Sequence, residues 1–273
     1  MPPYELPEVL QVLILAVIQG IAEFLPISSS GHLVAASALF NTAIDGEGKV
    51  AELNIVLHFG TLLAIVVFYR KRIFALLTQD KRVIPLIIVG TIPAVVIGLG
   101  IKMYYEWITE SPLLTGFMLP VTGFILMVLP KLKDDDSKKD YQEMSIWKAF
   151  LIGIAQAFAI LPGISRSGST IVAGSLLGLR QQSAATFSFL LAIPVIAGGA
   201  VLEAKDIIEA GTTHTPLVLL LMGAAVACGV GLLALQWLVK WIESGKLHLF
   251  AYWVIPLGFA LVVWQLYVMA NSL

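Results

Sequence analysis

Two short segments of this 273-residue chain concentrate reactive side chains inside otherwise apolar sequence. The first reads Gln19-Gly-Ile-Ala-Glu23-Phe-Leu-Pro26-Ile-Ser28-Ser29-Ser30-Gly31-His32. The second reads Gln156-Ala-Phe-Ala-Ile160-Leu-Pro162-Gly-Ile-Ser165-Arg166-Ser167-Gly168-Ser169-Thr170. Together they offer a carboxylate, a guanidinium, an imidazole and a row of hydroxyls, which is a set suited to phosphate. Arg166 can grip phosphate oxygens in a fixed fork. A helix that starts at a Ser/Gly loop turns free backbone N–H groups and its positive end toward an anion. Glu23 can hold a divalent cation, Mg²⁺ or Ca²⁺, because both take hard oxygen ligands. Ser29 or His32 can attack phosphorus, or His32 can activate a serine or a water. Glu23, Ser29, His32 and Arg166 therefore form the catalytic set. Gln19, Ser28, Ser30, Ser165, Ser167, Ser169 and Thr170 form the binding set, with Glu23 as the metal ligand.

Each residue also has a plainer reading. Glu23 could be a structural partner of Arg166, and Ser/Gly clusters in apolar helices often serve only close packing. Duplication argues for more. In both segments a glutamine stands nine positions ahead of a Ser-x-Ser-Gly element, with a proline just before it, as expected of a repeated unit. Gln19 and Glu23, four apart, share one helical face. Arg166 occupies the position equivalent to Ser29, which opposes a cation to the nucleophile if the two tips meet.

The elements that must bring the tips together are membrane helices. Hydrophobic residues make up 58% of the chain and charged residues 13%, with a mean hydropathy of +0.90, so lipid has to be part of its solvent. A net charge of −1 excludes nucleic acid as a partner. One cysteine, Cys228, leaves no intrachain disulfide. Glu5 and Glu8 near the start do not read as a cleaved signal peptide. Apolar stretches at about 53–69, 83–101, 112–130, 187–202, 216–239 and 249–270 predict six crossings. The limbs after the two Ser/Gly breaks, His32–Phe40 and Ile171–Leu179, would span only roughly 13 Å, under half a bilayer core. They predict re-entrant hairpins.

The fold expected is thus all-α and integral to the membrane: six transmembrane helices plus two re-entrant helical hairpins in an inverted-topology repeat. The first repeat covers 1–130, with its hairpin at about 9–40. A cytoplasmic linker covers 131–148, its charge run read as a solvated loop. The second repeat covers 149–273, with its hairpin at about 149–179. Returning hairpins put thirteen Lys and Arg residues on one face and three on the other, against eleven and five if both hairpins crossed. The positive-inside rule favours the first arrangement, with both termini outside and the tips meeting near the midplane.

At these two motifs the chain resembles the undecaprenyl-diphosphate phosphatases of the bacitracin-resistance type. Their first motif matches Gln19, Glu23, Pro26, Ser28, Ser29, Ser30, Gly31 and His32. Their second matches Pro162, Gly163, Ser165, Arg166, Ser167, Gly168, Ser169 and Thr170. The resemblance implies hydrolysis of a polyprenyl diphosphate lipid, dependence on a divalent metal and a site opening to the periplasm; a homodimer is compatible with it. Many members carry glutamate where this chain has Gln19, which leaves Glu23 as the only acidic ligand. A carrier that flips polyprenyl phosphate is the alternative, since broken helices meeting at the midplane are a transporter design. His58 is read as a hydrogen-bonded core histidine, with lining the cavity as the alternative, His214 and His248 as incidental, and Trp241, Trp253 and Trp264 as interfacial or packing residues.

Overall fold

The computed structural model describes residues 8–40, 47–105, 108–109, 111–132, 137–210 and 215–271. They form α1 (Glu8–Ala22), α2 (Ser29–Phe40), α3 (Glu47–Phe68), α4 (Arg70–Thr78), α5 (Val83–Tyr104), α6 (Pro112–Leu126), α7 (Ile146–Phe158), α8 (Arg166–Leu176), α9 (Gln181–Ala210), α10 (Leu217–Glu243) and α11 (Ala251–Asn271). No strand occurs among the described residues. Five helical segments are long and apolar enough to cross a membrane. They become six if α3 and α4, bent by 67° at Tyr69, count as one broken span. Val96, Val218 and Val263 lie well exposed on such segments, as expected of side chains solvated by lipid rather than water. This is a multi-pass helical membrane protein.

The sequence starts the two short limbs at His32 and Ile171, and the structure starts them earlier, at Ser29 and Arg166. Capping is the reason. Ser28 Oγ accepts from the Gly31 amide at 3.2 Å, and Ser165 Oγ accepts from the Gly168 amide at 3.1 Å. A serine cap satisfies an otherwise orphaned N–H and lets the helix begin inside the Ser/Gly run. At twelve and eleven residues, α2 and α8 still extend only about 18 Å or less. α9 likewise begins at Gln181, six residues ahead of its apolar core.

Several helix pairings repeat across the chain, although α8–α9, α2–α6, α6–α8 and α1–α3 have no comparable counterpart. α1 packs on α10 and α7 packs on α5. Exchanging α1 with α7, α2 with α8, α3 with α9, α5 with α10 and α6 with α11 converts one pairing into the other. The α3–α9 and α6–α11 pairings map onto themselves. Each hairpin is thereby clamped by the opposite half.

The segment at 131–148 is more than a solvated loop where it is described. Lys138 Nζ donates to the Ser175 carbonyl at 2.8 Å, and Lys148 Nζ donates to the Leu177 carbonyl at 2.7 Å. Two cations thus cap the negative end of α8. The acidic run Asp134–Asp136 lies outside the described residues, as does His214.

Candidate active site

The tips of the two hairpins touch through residues that leave little room for a side chain. A Cβ on Gly31 would lie 3.1 Å from Gly163 Cα, and one on Gly168 would lie 3.3 Å from Pro26 Cβ. Gly163 also has φ +94, a left-handed conformation that favours glycine, and a Cβ there would collide with the Thr115 carbonyl. Thr122 of α6 fastens this turn: its hydroxyl donates to the Gly163 carbonyl at 2.7 Å and accepts from the Ser165 amide at 2.9 Å.

Close approach of the tips joins Glu23 to Arg166 across 143 residues. Arg166 Nη2 lies 2.6 Å from Glu23 Oε1. On the other oxygen, Oε2, Glu23 accepts from Ser29 Oγ at 2.8 Å and from Gln19 Nε2 at 3.0 Å. Glu23 and Gln19 are both buried. A buried pair of this kind is costly to break, by about 3–5 kcal/mol, because the survivor is left uncompensated. Two atoms of the cluster remain without a partner although buried: Arg166 Nη1 and Gln19 Oε1. One is a donor for an anion and the other an acceptor for a cation or a donor.

Serine hydroxyls at the two tips follow one plan. Ser28 Oγ lies 3.3 Å from Ser30 Oγ, and Ser165 Oγ lies 3.2 Å from Ser167 Oγ. Ser28 adopts φ 71, a strained left-handed conformation for a non-glycine residue. Ser167 also reaches the Leu25 carbonyl at 3.4 Å, bonding one tip to the other. Thr170 Oγ1 donates to the Arg166 carbonyl at 2.8 Å and lies 2.6 Å from Ser188 Oγ of α9. Ser169 is buried in the first turn of α8. Several hydroxyls of the binding set therefore hold the tips in shape.

His32 does not join the Glu23 contacts. Its Nδ1 lies 2.8 Å from the Ser28 carbonyl, and its Nε2 lies 2.9 Å from the indole Nε1 of Trp253 in α11. A carbonyl only accepts and an indole only donates, so the network selects the neutral ring with its proton on Nδ1. Trp253 is thus a partner of the site, where the sequence reading gives it only an interfacial or packing role. Nothing in the sequence marks it, since it is 221 residues from His32. His58 is also more than a core histidine. Its Nδ1 lies 2.8 Å from the Asn54 carbonyl, as a buried histidine's would, but its Nε2 lies 3.8 Å from Glu23 Oε2 and its side chain is one-third exposed.

Among the described residues no three His, Cys, Asp or Glu side chains are grouped to hold a metal ion by themselves. Gln19 Oε1 is one oxygen donor without a partner, and Glu23 becomes a second once a donor now on it, Arg166, Ser29 or Gln19 Nε2, is displaced. That fits a cation such as Mg²⁺, which takes one or two carboxylates and completes its shell with substrate phosphates and water.

The chain belongs to the bacitracin resistance protein BacA family, whose model it matches over residues 12–260. It is 52% identical over 260 residues to an undecaprenyl-diphosphatase of Rhodopirellula baltica, covering 95% of this chain and 99% of that one. An undecaprenyl-diphosphatase 4 of Bacillus thuringiensis is 40% identical over 257 residues, 94% of this chain and 97% of the relative. An undecaprenyl-diphosphatase of Halothermothrix orenii is 38% identical over 261 residues, 94% and 98% of the two chains.

Proposed function

We propose that this chain hydrolyses undecaprenyl diphosphate to undecaprenyl phosphate and inorganic phosphate, recycling the carrier lipid of cell-wall synthesis and giving bacitracin resistance. The observation that carries the reading is Glu23, buried with Arg166 on one oxygen and the Ser29 hydroxyl on the other. Full-length likeness to undecaprenyl-diphosphatases supports the substrate.

Arg166 exchanges Glu23 for the terminal phosphate, and its spare Nη1 is a second donor for the same group. Glu23, released from the guanidinium, takes the Ser29 proton as Oγ attacks phosphorus. A Ser29 Oγ–P bond forms, the anhydride P–O bond breaks, and undecaprenyl phosphate leaves. Water then cleaves the phosphoserine, and the proton held by Glu23 returns to Ser29 Oγ. His32 Nε2 is the base for that water once Trp253 lets go of it, and the proton it takes leaves with the inorganic phosphate. The first-turn N–H groups of α2 and α8, shaped by Ser28, Ser30, Ser165, Ser167, Ser169 and Thr170, face the developing charge. A divalent cation, Mg²⁺ or Ca²⁺, would be held by Glu23 and Gln19 Oε1 and would neutralise charge on the two phosphates.

The same reading takes α1–α2 and α7–α8 as re-entrant hairpins within two inverted repeats, 1–130 and 149–273, joined by a cytoplasmic linker. It counts α3, up to the bend into α4, as the sixth crossing. Both termini and the site opening then lie on the periplasmic side of the inner membrane. Support comes from limbs too short to span, from pairings that survive exchange of the halves, and from the charge count.

The test is phosphate release from a polyprenyl diphosphate by the purified protein in detergent, with and without chelator, beside Ser29→Ala. Chelator-sensitive release that the variant loses supports the phosphatase. No release from folded wild type under any divalent metal would sink it and favour the carrier, which uses Arg166 but gives the Ser29–Glu23 contact no task.

A further inference from the structure

A second concentration of charge lies at the bend between α3 and α4 and shares no residue with the Glu23 cluster. The first turn of α4 is Arg70-Lys71-Arg72, with no acidic residue in it and no side-chain cap from Tyr69. A helix N-terminus already carries partial positive charge, so three cations there disfavour one another and the helix. Among the described residues none of the three is ion-paired. Arg70 spends one N–H on the Val67 carbonyl at 2.9 Å.

These cations line a cavity of about 420 Å³. Gln182 and Thr186, from the first two turns of α9, add polar groups to the same wall, while Val239 and Ile242 of α10 make an apolar one. α4 leaves α3 at 67° and exposes Phe74 and Leu77 beside its basic turn. An amphipathic helix of this kind lies at the boundary between lipid and water. Cations that only set topology need no cavity, and a soluble anion has no use for the apolar wall.

We propose that this cavity binds the phosphate head group of an anionic membrane phospholipid. Arg70, Lys71 and Arg72 neutralise the phosphate, the Gln182 amide supplies a hydrogen bond, and the acyl chains run along Val239 and Ile242. Basic pockets between membrane helices are suited to such head groups. The bound lipid would also relieve the repulsion in α4 and fix the bend, which gives the site a structural role independent of the hydrolytic one.

The experiment is native mass spectrometry of the full chain after equilibration in nanodiscs of equal phosphatidylcholine and phosphatidylglycerol. Wild type is expected to retain phosphatidylglycerol over phosphatidylcholine by about tenfold or more. R70Q/K71Q/R72Q should lose that preference. Removing charge can also disturb insertion, so Gln182→Trp, which keeps every cation and fills the cavity, should lose it too. Polyprenyl diphosphate turnover of both variants in detergent should stay within about twofold of wild type, which shows that the fold and the Glu23 site survive. Equal retention of the two lipids by wild type overturns the proposal, as does a preference that persists in both variants. Displacement of phosphatidylglycerol by an equal concentration of inorganic phosphate would also overturn it, by reassigning the cavity to a soluble anion.

Discussion

The two hairpin tips share a backbone plan but differ in what they contribute. Each has a buried glutamine on the incoming helix, a serine cap, a pair of serine hydroxyls and a short outgoing helix. One turn after the glutamine, the first tip has Glu23 and the second has Ile160. At the first outgoing position the first tip has Ser29 and the second has Arg166. Gln19 consequently donates to a carboxylate, whereas neither amide atom of Gln156 has a partner although both are buried. A duplicated scaffold has been divided: one tip supplies the acid and the hydroxyl, the other the cation. The site exists only where the tips touch, so neither half can hold it alone.

The strongest way to break this division is to remove either member of the ion pair. Arg166→Ala and Glu23→Ala should each lower turnover at least 100-fold, roughly 2.7 kcal/mol, measured as phosphate release. The double variant should lose little more than either single one, because the residues act as a unit. It should also unfold at a higher temperature than either, since no uncompensated charge stays buried. Additive losses in turnover would argue that the two tips work separately.

Ser29→Ala comes next, with an expected loss of about 100-fold or more if its hydroxyl is the nucleophile. Trapping of a phosphorylated protein in wild type but not in the variant would sharpen that assignment; equal labelling of both would end it. Trp253→Phe keeps the ring and deletes the N–H that holds His32 Nε2. Because that bond has to break before His32 can act as a base, kcat should rise by up to about tenfold, the scale of one hydrogen bond, with little change in KM. On a His32→Ala background the same change should have no effect, and a loss in either background would mean that Trp253 acts through packing. The smallest effect is expected at the second tip: Gln156→Leu removes two buried polar atoms that have no partner. Turnover should stay within about twofold and thermal stability should not fall, since a buried unsatisfied group is itself a cost.

Much of this was legible in the residues. The duplicated motifs gave the acid, the cation and the serines, and the apolar runs at 83–101, 112–130, 216–239 and 249–270 each fall on a helix. The helix starts at Ser29 and Arg166 were less visible, because they depend on serine caps that a count of apolar residues ignores. Lys138 and Lys148 read as loop charges because the carbonyls they cap, at Ser175 and Leu177, lie far along the chain. The bend at Tyr69 has no proline or glycine to announce it.

The sequence by itself determined a helical membrane protein with two similar, proline-broken segments that carry a carboxylate, a guanidinium and clustered hydroxyls. Those follow from composition, from periodicity and from the local effects of proline, glycine and serine on a helix, which act within a few residues. Tertiary structure decided which side chains meet: Arg166 on Glu23, Ser167 on the Leu25 carbonyl, Trp253 on His32. Hydrogen bonds and ion pairs fall off within a few ångströms, and no spacing along the chain encodes a contact made across 143 or 221 residues. The packing of α1 on α10, of α7 on α5 and of α6 on α2, α8 and α11, with the close glycine contacts between the tips, brings those groups within reach.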